Sequence, residues 1–167
     1  MVVSPRPAIA MSGDEVYAFL GEQRSATIAT IGPSGQPHLV AMWFAVVGDE
    51  LWIETKAKSQ KAVNLLRDDR VTLLVEAGYT YDSLRGVSLE CRAIVSNDAG
   101  DLWRVGVSLF ERYVGPYADE LAPAVEAMIY NRVAVRLDVI RTRSWDHRKL
   151  GLAPIALGGT TARSLTL

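Results

Sequence analysis

Lys56, Lys58, Ser59 and Lys61 fall close together where one local pattern gives way to another. Before them runs Leu51-Trp52-Ile53-Glu54-Thr55, rich in strand-forming side chains; after them Ala62, Leu65 and Leu66 recur at helical spacing. The first amides of a helix lack intrahelical acceptors, and that end carries partial positive charge. With Ser59 as N-cap and ammonium groups alongside, the segment reads as a local anion site. Lys58 and Lys61, three apart, lie on one side of the first turn. Basic residues here oppose the helix dipole, which favours an anionic partner. A solvated lysine cluster at a surface turn has the same spacing, and spacing alone leaves both readings open.

A second constellation closes the domain. Val133, Val135, Leu137 and Val139 alternate as in a half-buried strand, and Arg141, Arg143 and Trp145 continue their parity. A regular strand then ends its core-facing side in two arginines and a tryptophan. Buried arginine is rare unless paired, so these residues suit a barrel mouth or an interface groove holding an anionic ligand. The alternative is a strand ending near Arg141, with solvated side chains.

Other chemistry has less support. Cys91 shares parity with Val87, Leu89, Ala93 and Val95, which makes it an inert buried thiol. His38 could donate to a ligand or take a backbone partner, and Tyr79, Tyr81 and Asp82 could line a substrate mouth or form a plain turn. Gly-x-Ser-x-Gly, Gly-x-Gly-x-x-Gly and Walker patterns are absent from the sequence. One cysteine and two histidines argue against a disulfide framework and a metal site. No residue stands out as a catalytic acid or base.

These groups need a scaffold. Ser12 caps an amphipathic helix over 13–23 carrying Val16, Phe19 and Leu20. Residues 25–31, 37–47 and 51–55 read as a three-stranded meander with turns at Gly32-Pro33-Ser34-Gly35 and Gly48-Asp49-Glu50. Further strands are expected over 71–76, over 86–96 and from Val133, and further helices over 59–67, from Asn97 or Asp98 to about Tyr113, and over 117–129 with a break near Pro123. The fold class is α+β, mainly β: six antiparallel strands with peripheral helices, for which closure into a barrel hides the sheet edges.

The whole chain has 167 residues, 49% of them apolar and 22% charged, with a net charge of −1. One globular domain fits that length and composition. A near-neutral charge supplies no bulk attraction to nucleic acid or anionic membrane. No run reaches the roughly 18 apolar residues of a membrane span, and the N-terminus lacks an apolar signal core. A cytoplasmic protein is the expectation. Residues 1–11 read as a flexible arm, 12–150 as the domain and 151–167 as a tail.

Certain blocks of the sequence match a known pattern. They are Ala26-Thr27-Ile28-Ala29-Thr30, Gly35-Gln36-Pro37-His38, Met42-Trp43-Phe44, Leu51 to Thr55, Lys61-Ala62-Val63-Asn64-Leu65, Arg70-Val71 and Arg141 to Lys149. Over about residues 12–155 the chain resembles the pyridoxamine 5′-phosphate oxidase-like split-barrel superfamily. Within it, the chain is most similar to the actinobacterial flavin/deazaflavin oxidoreductases of the B type, which use coenzyme F420.

The resemblance implies a homodimer with two cofactor sites at its interface. Val40, Ala41, Met42 and Trp43 would lie against the isoalloxazine-like ring. Thr55, Lys56, Ala57, Lys58, Ser59, Lys61 and Asn64 would serve the phosphate and tail, with Lys61 matching the family's phosphate lysine. Arg143 and Trp145 join them as the closing strand's contribution. Ser59 departs from the pattern, since many relatives carry arginine there. Lys56 and Lys58 can restore the charge, but as point charges rather than a planar fork. The implied function is hydride transfer between F420 and a small organic substrate. The alternatives are an FMN-binding protein, since FMN also bears a phosphate, and a non-catalytic F420 carrier or sensor.

Overall fold

A computed structural model describes residues 6–157. The helices are α1 (Arg6–Ile9), α2 (Gly13–Glu22), α3 (Gln60–Arg67), α4 (Ala99–Tyr113) and α5 (Ala122–Ile129). The strands are β1 (Ala26–Ile31), β2 (Pro37–Met42), β3 (Ala45–Val47), β4 (Glu50–Lys56), β5 (Arg70–Ala77), β6 (Arg85–Ser96) and β7 (Arg132–Asp146). Among the described residues no helix is long and apolar enough to cross a membrane. Most of the proposed tail and the start of the proposed arm lie outside the described residues. The described end of the arm forms α1, and Ile9 is buried.

Local signals account for the helix starts. Ser12 and Glu15 form a reciprocal capping box on α2, Ser59 caps α3, and Asp98 caps α4 through the Asp101 amide. Pro123 stands in the first turn of α5, where its missing N–H costs no hydrogen bond; a short 3-10 turn over Asp119–Leu121 precedes it.

The sheet is antiparallel in the order β2-β1-β5-β6-β7-β4-β3, seven strands rather than six. The expected strand over 37–47 is broken at Trp43-Phe44. The Tyr113 hydroxyl causes the break: it accepts from the Phe44 amide at 3.1 Å and donates to the Phe44 carbonyl at 3.0 Å, taking both groups out of any ladder. The expected meander is therefore two separate hairpins, β1–β2 and β3–β4, at opposite edges of the sheet. Only Trp43 and Phe44 link those edges in the chain, so the sheet must curl until they meet. The result is a split barrel with its seam between β2 and β3.

Ile28, Phe44, Ile53, Leu73, Val75, Val87 and Val135 fill the concave interior. Outside, α4 lays Val105 and Leu109 on Ala45, Trp52 and Ala134 of β3, β4 and β7. Strand β4 is thus buried on both faces, which matters for Glu54.

One register irregularity overturns the parity expected for the last strand. Cys91 pairs with Val139 and Glu90 with Arg141, so Ile140 is an extra, unpaired residue. Such a bulge exchanges the two faces of every residue beyond it. Thr142 and Ser144 now oppose Leu89 and Val87, while Arg141, Arg143 and Trp145 oppose Glu90, Ser88 and Gly86 on the outer face.

Candidate functional site

Strand β2 and its end, the end of β4, the start of α3, helices α4 and α5 and the start of β7 enclose a cavity of about 230 Å³. Val40, Ala41, Met42 and Trp43 form one wall, Thr55 and Lys61 another. Six of the residues expected at the cofactor thus line one concavity. Trp43 is held as a rigid plate at the rim: it is 51% exposed yet stacks on Tyr113 at 4.4 Å and 7°. Stacked aromatic pairs of this kind contribute beyond their buried area.

The turn from β4 into α3 has the features of an anion cradle. The Ser59 hydroxyl accepts from the Ala62 amide at 3.3 Å and shares a 3.0 Å hydrogen bond with Thr55. The amides of Gln60 and Lys61 find no acceptor among the described residues. Lys61 is partly buried, and burial, then the nearby Arg132 charge, hold its ammonium below the ordinary lysine range. A cation kept short of water and of a counter-charge is placed to meet an anion.

The other members of the lysine cluster stand apart. Lys56 and Lys58 are exposed on the turn and do not line the cavity. The Ala57 amide is used internally, donating to the Asn131 carbonyl at 3.0 Å. Asn64 is fully buried behind the site; it donates to Thr30 Oγ1 at 3.0 Å and accepts from Gln60 at 2.8 Å. Its place in the structure is to fasten α3 onto β1 and so hold Lys61.

Four residues that sequence reasoning missed complete the cavity: Leu109, Met128 and two charged ones, Glu54 and Arg132. Arg132 opens β7 opposite Lys56 in register, just after Asn131 with its positive φ of 58°. It is the cation that lines the cavity beside Lys61, where Lys56 and Lys58 do not, and it carries a guanidinium fork. Glu54 points into the same space with its side chain 1% exposed; Arg132 Nε is 3.6 Å from Oε1, and neither carboxylate oxygen has a hydrogen-bond partner. Burial, partly offset by Arg132, pushes its pKa up to about 7. The sequence did hold a signal: a carboxylate directly after the apolar run Leu51-Trp52-Ile53 of β4.

Arg143 and Trp145 lie elsewhere on the chain. They border a wider groove of about 970 Å³ with Ile9, Met11, Val16 and Leu84. Arg143 is ion-paired to Glu90 across the strands. Trp145 lies over Gly86, where an added Cβ would stand 2.3 Å from the indole Cζ2. Gly86→Ala should therefore drive Trp145 from its seat and cost about 1–3 kcal/mol by overpacking. Urea denaturation and tryptophan near-ultraviolet dichroism would register both effects; a variant unchanged in each would show that Trp145 does not depend on this bare glycine.

Elsewhere, Cys91 is buried, and burial pushes its thiol up to about 12 with help from Asp138, so it stays un-ionised as expected of a core residue. His38 Nδ1 is buried without the backbone partner that its strand position suggested.

Comparison with known proteins agrees with this architecture. The family described as pyridoxamine 5′-phosphate oxidase matches residues 12–146. An F420H2-dependent biliverdin reductase of Mycobacterium tuberculosis is 31% identical over 118 residues, 70% of this chain and 82% of that protein. The crystal structure of a conserved hypothetical protein from the same organism superposes with a TM-score of 0.91 at 57% identity, covering 96% of this chain and all of the other. A solved F420 reductase superposes with a TM-score of 0.60 at 25% identity, covering 79% of this chain and 97% of its own. The match over residues 12–146, on a curled seven-stranded sheet seamed at β2 and β3, places the chain in the pyridoxamine 5′-phosphate oxidase-like family of split β-barrels.

Proposed function

We propose that this protein is an F420-dependent oxidoreductase that works as a homodimer on a small organic substrate. One observation carries the reading: a single cavity joins a phosphate-type cradle, built from Lys61, Arg132 and free α3 amides, to the wall made by Val40 to Trp43. The relatives named for F420 support the choice of cofactor. When bound, reduced F420 supplies a hydride from its deazaflavin ring. The chain's own residues have the task of binding and orienting. Lys61 and the α3 amides would hold the phosphate, β2 would line the ring, and Trp43, locked on Tyr113, borders the opening.

A cavity of 230 Å³ is smaller than the roughly 300–1,000 Å³ pocket of a drug-sized ligand, so an elongated cofactor needs another wall. The groove carrying Arg143 and Trp145 supplies one if it comes from a second subunit. The protomer also exposes Leu39, Trp43, Val139 and Ile140, and β7 runs past the end of β4 with one edge unpaired. Both features favour a twofold assembly.

Side-by-side titrations with F420 and FMN at one salt concentration, followed by tryptophan fluorescence, test the cofactor. F420 should bind at least tenfold tighter, about 1.4 kcal/mol; FMN binding as tightly or tighter overturns the choice. Light scattering should show twice the 18.3 kDa chain mass, and the double variant Arg143→Ala, Trp145→Ala should lose binding. A monomer that binds F420 at full affinity overturns the shared site.

A further inference from the structure

Glu54 has no assigned part in the reading above, yet it is the group in the cavity least satisfied by the protein. Its carboxylate is almost wholly removed from water and receives no hydrogen bond. Arg132 of β7 is its nearest cation, at 3.6 Å, beyond hydrogen-bond range. Lys61 of α3 lines the same cavity and stands close enough to Arg132 to feel its charge. The other walls bring only uncharged side chains: Met42 and Trp43 from β2 and its end, Leu109 from α4 and Met128 from α5.

Arg132 therefore has two competing companions. One is an ionised Glu54; the other is an anion that also meets Lys61. An anion that draws Arg132 toward itself removes the counter-charge nearest Glu54 among the described residues and places a like charge beside it, and both changes favour the protonated carboxyl. We propose that Glu54 makes this a proton-coupled anion site, taking one proton from solvent as the phosphate of F420 settles on Lys61 and Arg132 and returning it on release. This rests on the F420 reading and adds a pH dependence to it. The balance is simple: the carboxylate and a solvent proton give the carboxylic acid, and no bond of the ligand changes. The neutral acid then has one O–H to donate to a phosphate oxygen, where the carboxylate could only repel it. F420's phosphate is a diester, ionised throughout, so it does not compete for the proton. In the free protein burial sets the Glu54 carboxyl to titrate at about 7, so it is mostly neutral at pH 6 and mostly ionised at pH 8.

The test measures F420 affinity for the wild-type protein and for E54Q at pH 6 and pH 8 and equal ionic strength. Calorimetry at pH 8 in two buffers of different ionisation enthalpy then counts protons. The two proteins should bind alike at pH 6, and E54Q should bind about tenfold tighter at pH 8, because glutamine is neutral at both. At pH 8 the wild type should take up about 0.9 of a proton per site more than E54Q. Equal affinity ratios at the two pH values, with equal proton counts, overturn the coupling and leave F420 binding standing. Failure of the wild-type protein to bind F420 at either pH overturns both. If E54Q does not fold, the proton count of the wild type decides alone, and no uptake at pH 8 overturns the coupling.

Discussion

Lys61→Ala is expected to weaken F420 binding ten- to a hundredfold while leaving thermal melting close to that of the parent. A charge-assisted hydrogen bond contributes roughly 1.5–3 kcal/mol, and tenfold in affinity corresponds to about 1.4 kcal/mol. Stability should barely change because the charged ammonium is not at ease in the free protein. Burial first, then Arg132, disfavours it, and no carboxylate pairs with it among the described residues. Lys58→Ala is the matched control, since Lys58 is exposed and outside the cavity; it should cost no more than about twofold. Equilibrium titration and a thermal melt on each variant suffice. Equal losses for the two lysines would mean a diffuse positive surface rather than a built site. An unaffected Lys61→Ala would place the phosphate elsewhere.

E54Q should be more stable than the wild type at pH 8 by up to about 3 kcal/mol and equal to it at pH 4. The sign follows from the carboxyl titrating near 7 in the fold against 4.5 ordinarily. Below pH 4.5 both the folded and unfolded chains hold the proton, so Glu54 costs nothing. Between pH 4.5 and 7 the unfolded chain releases it while the fold retains it, and stability falls as pH rises. Above 7 the penalty is constant. A difference of about 2.5 pKa units at 1.36 kcal/mol each sets its scale. Glutamine keeps the shape of the neutral acid and never ionises. Urea denaturation at the two pH values reads the difference directly. A wild type as stable as E54Q at pH 8 would mean that the ionised carboxylate finds donors in solution, and it would remove the physical basis for proton coupling as well.

The parts of this protein legible in its sequence are those decided over a few residues. Ser12, Ser59 and Asp98 cap helices because the acceptor and the orphan amide lie within one turn of each other. The alternation of Val87, Leu89, Cys91 and Ala93 names the buried face of β6, because side chains change sides at every residue of a strand. The β1–β2 and β3–β4 hairpins follow from their turns, with positive φ at Gly35 and Gly48. The place of Lys61 in the first turn of α3, beside that helix's free amides, was readable on the same local terms.

The tertiary structure decided everything that depends on which strand lies beside which. Glu54 meets Arg132 only because β4 pairs with β7 and places Glu54 and Lys56 opposite Ala134 and Arg132. Burial summed over the whole sheet selects that register, and no local pattern encodes it. Periodicity placed Arg143 and Trp145 on the core side, and the single extra residue Ile140 moved them to the other face. A strand that reads as continuous from Pro37 to Val47 ends early because the Tyr113 hydroxyl, from a helix far along the chain, claims the Phe44 backbone. A buried polar group must be satisfied wherever a partner can reach it. Distant partners set the limit on what the order of residues alone could reveal.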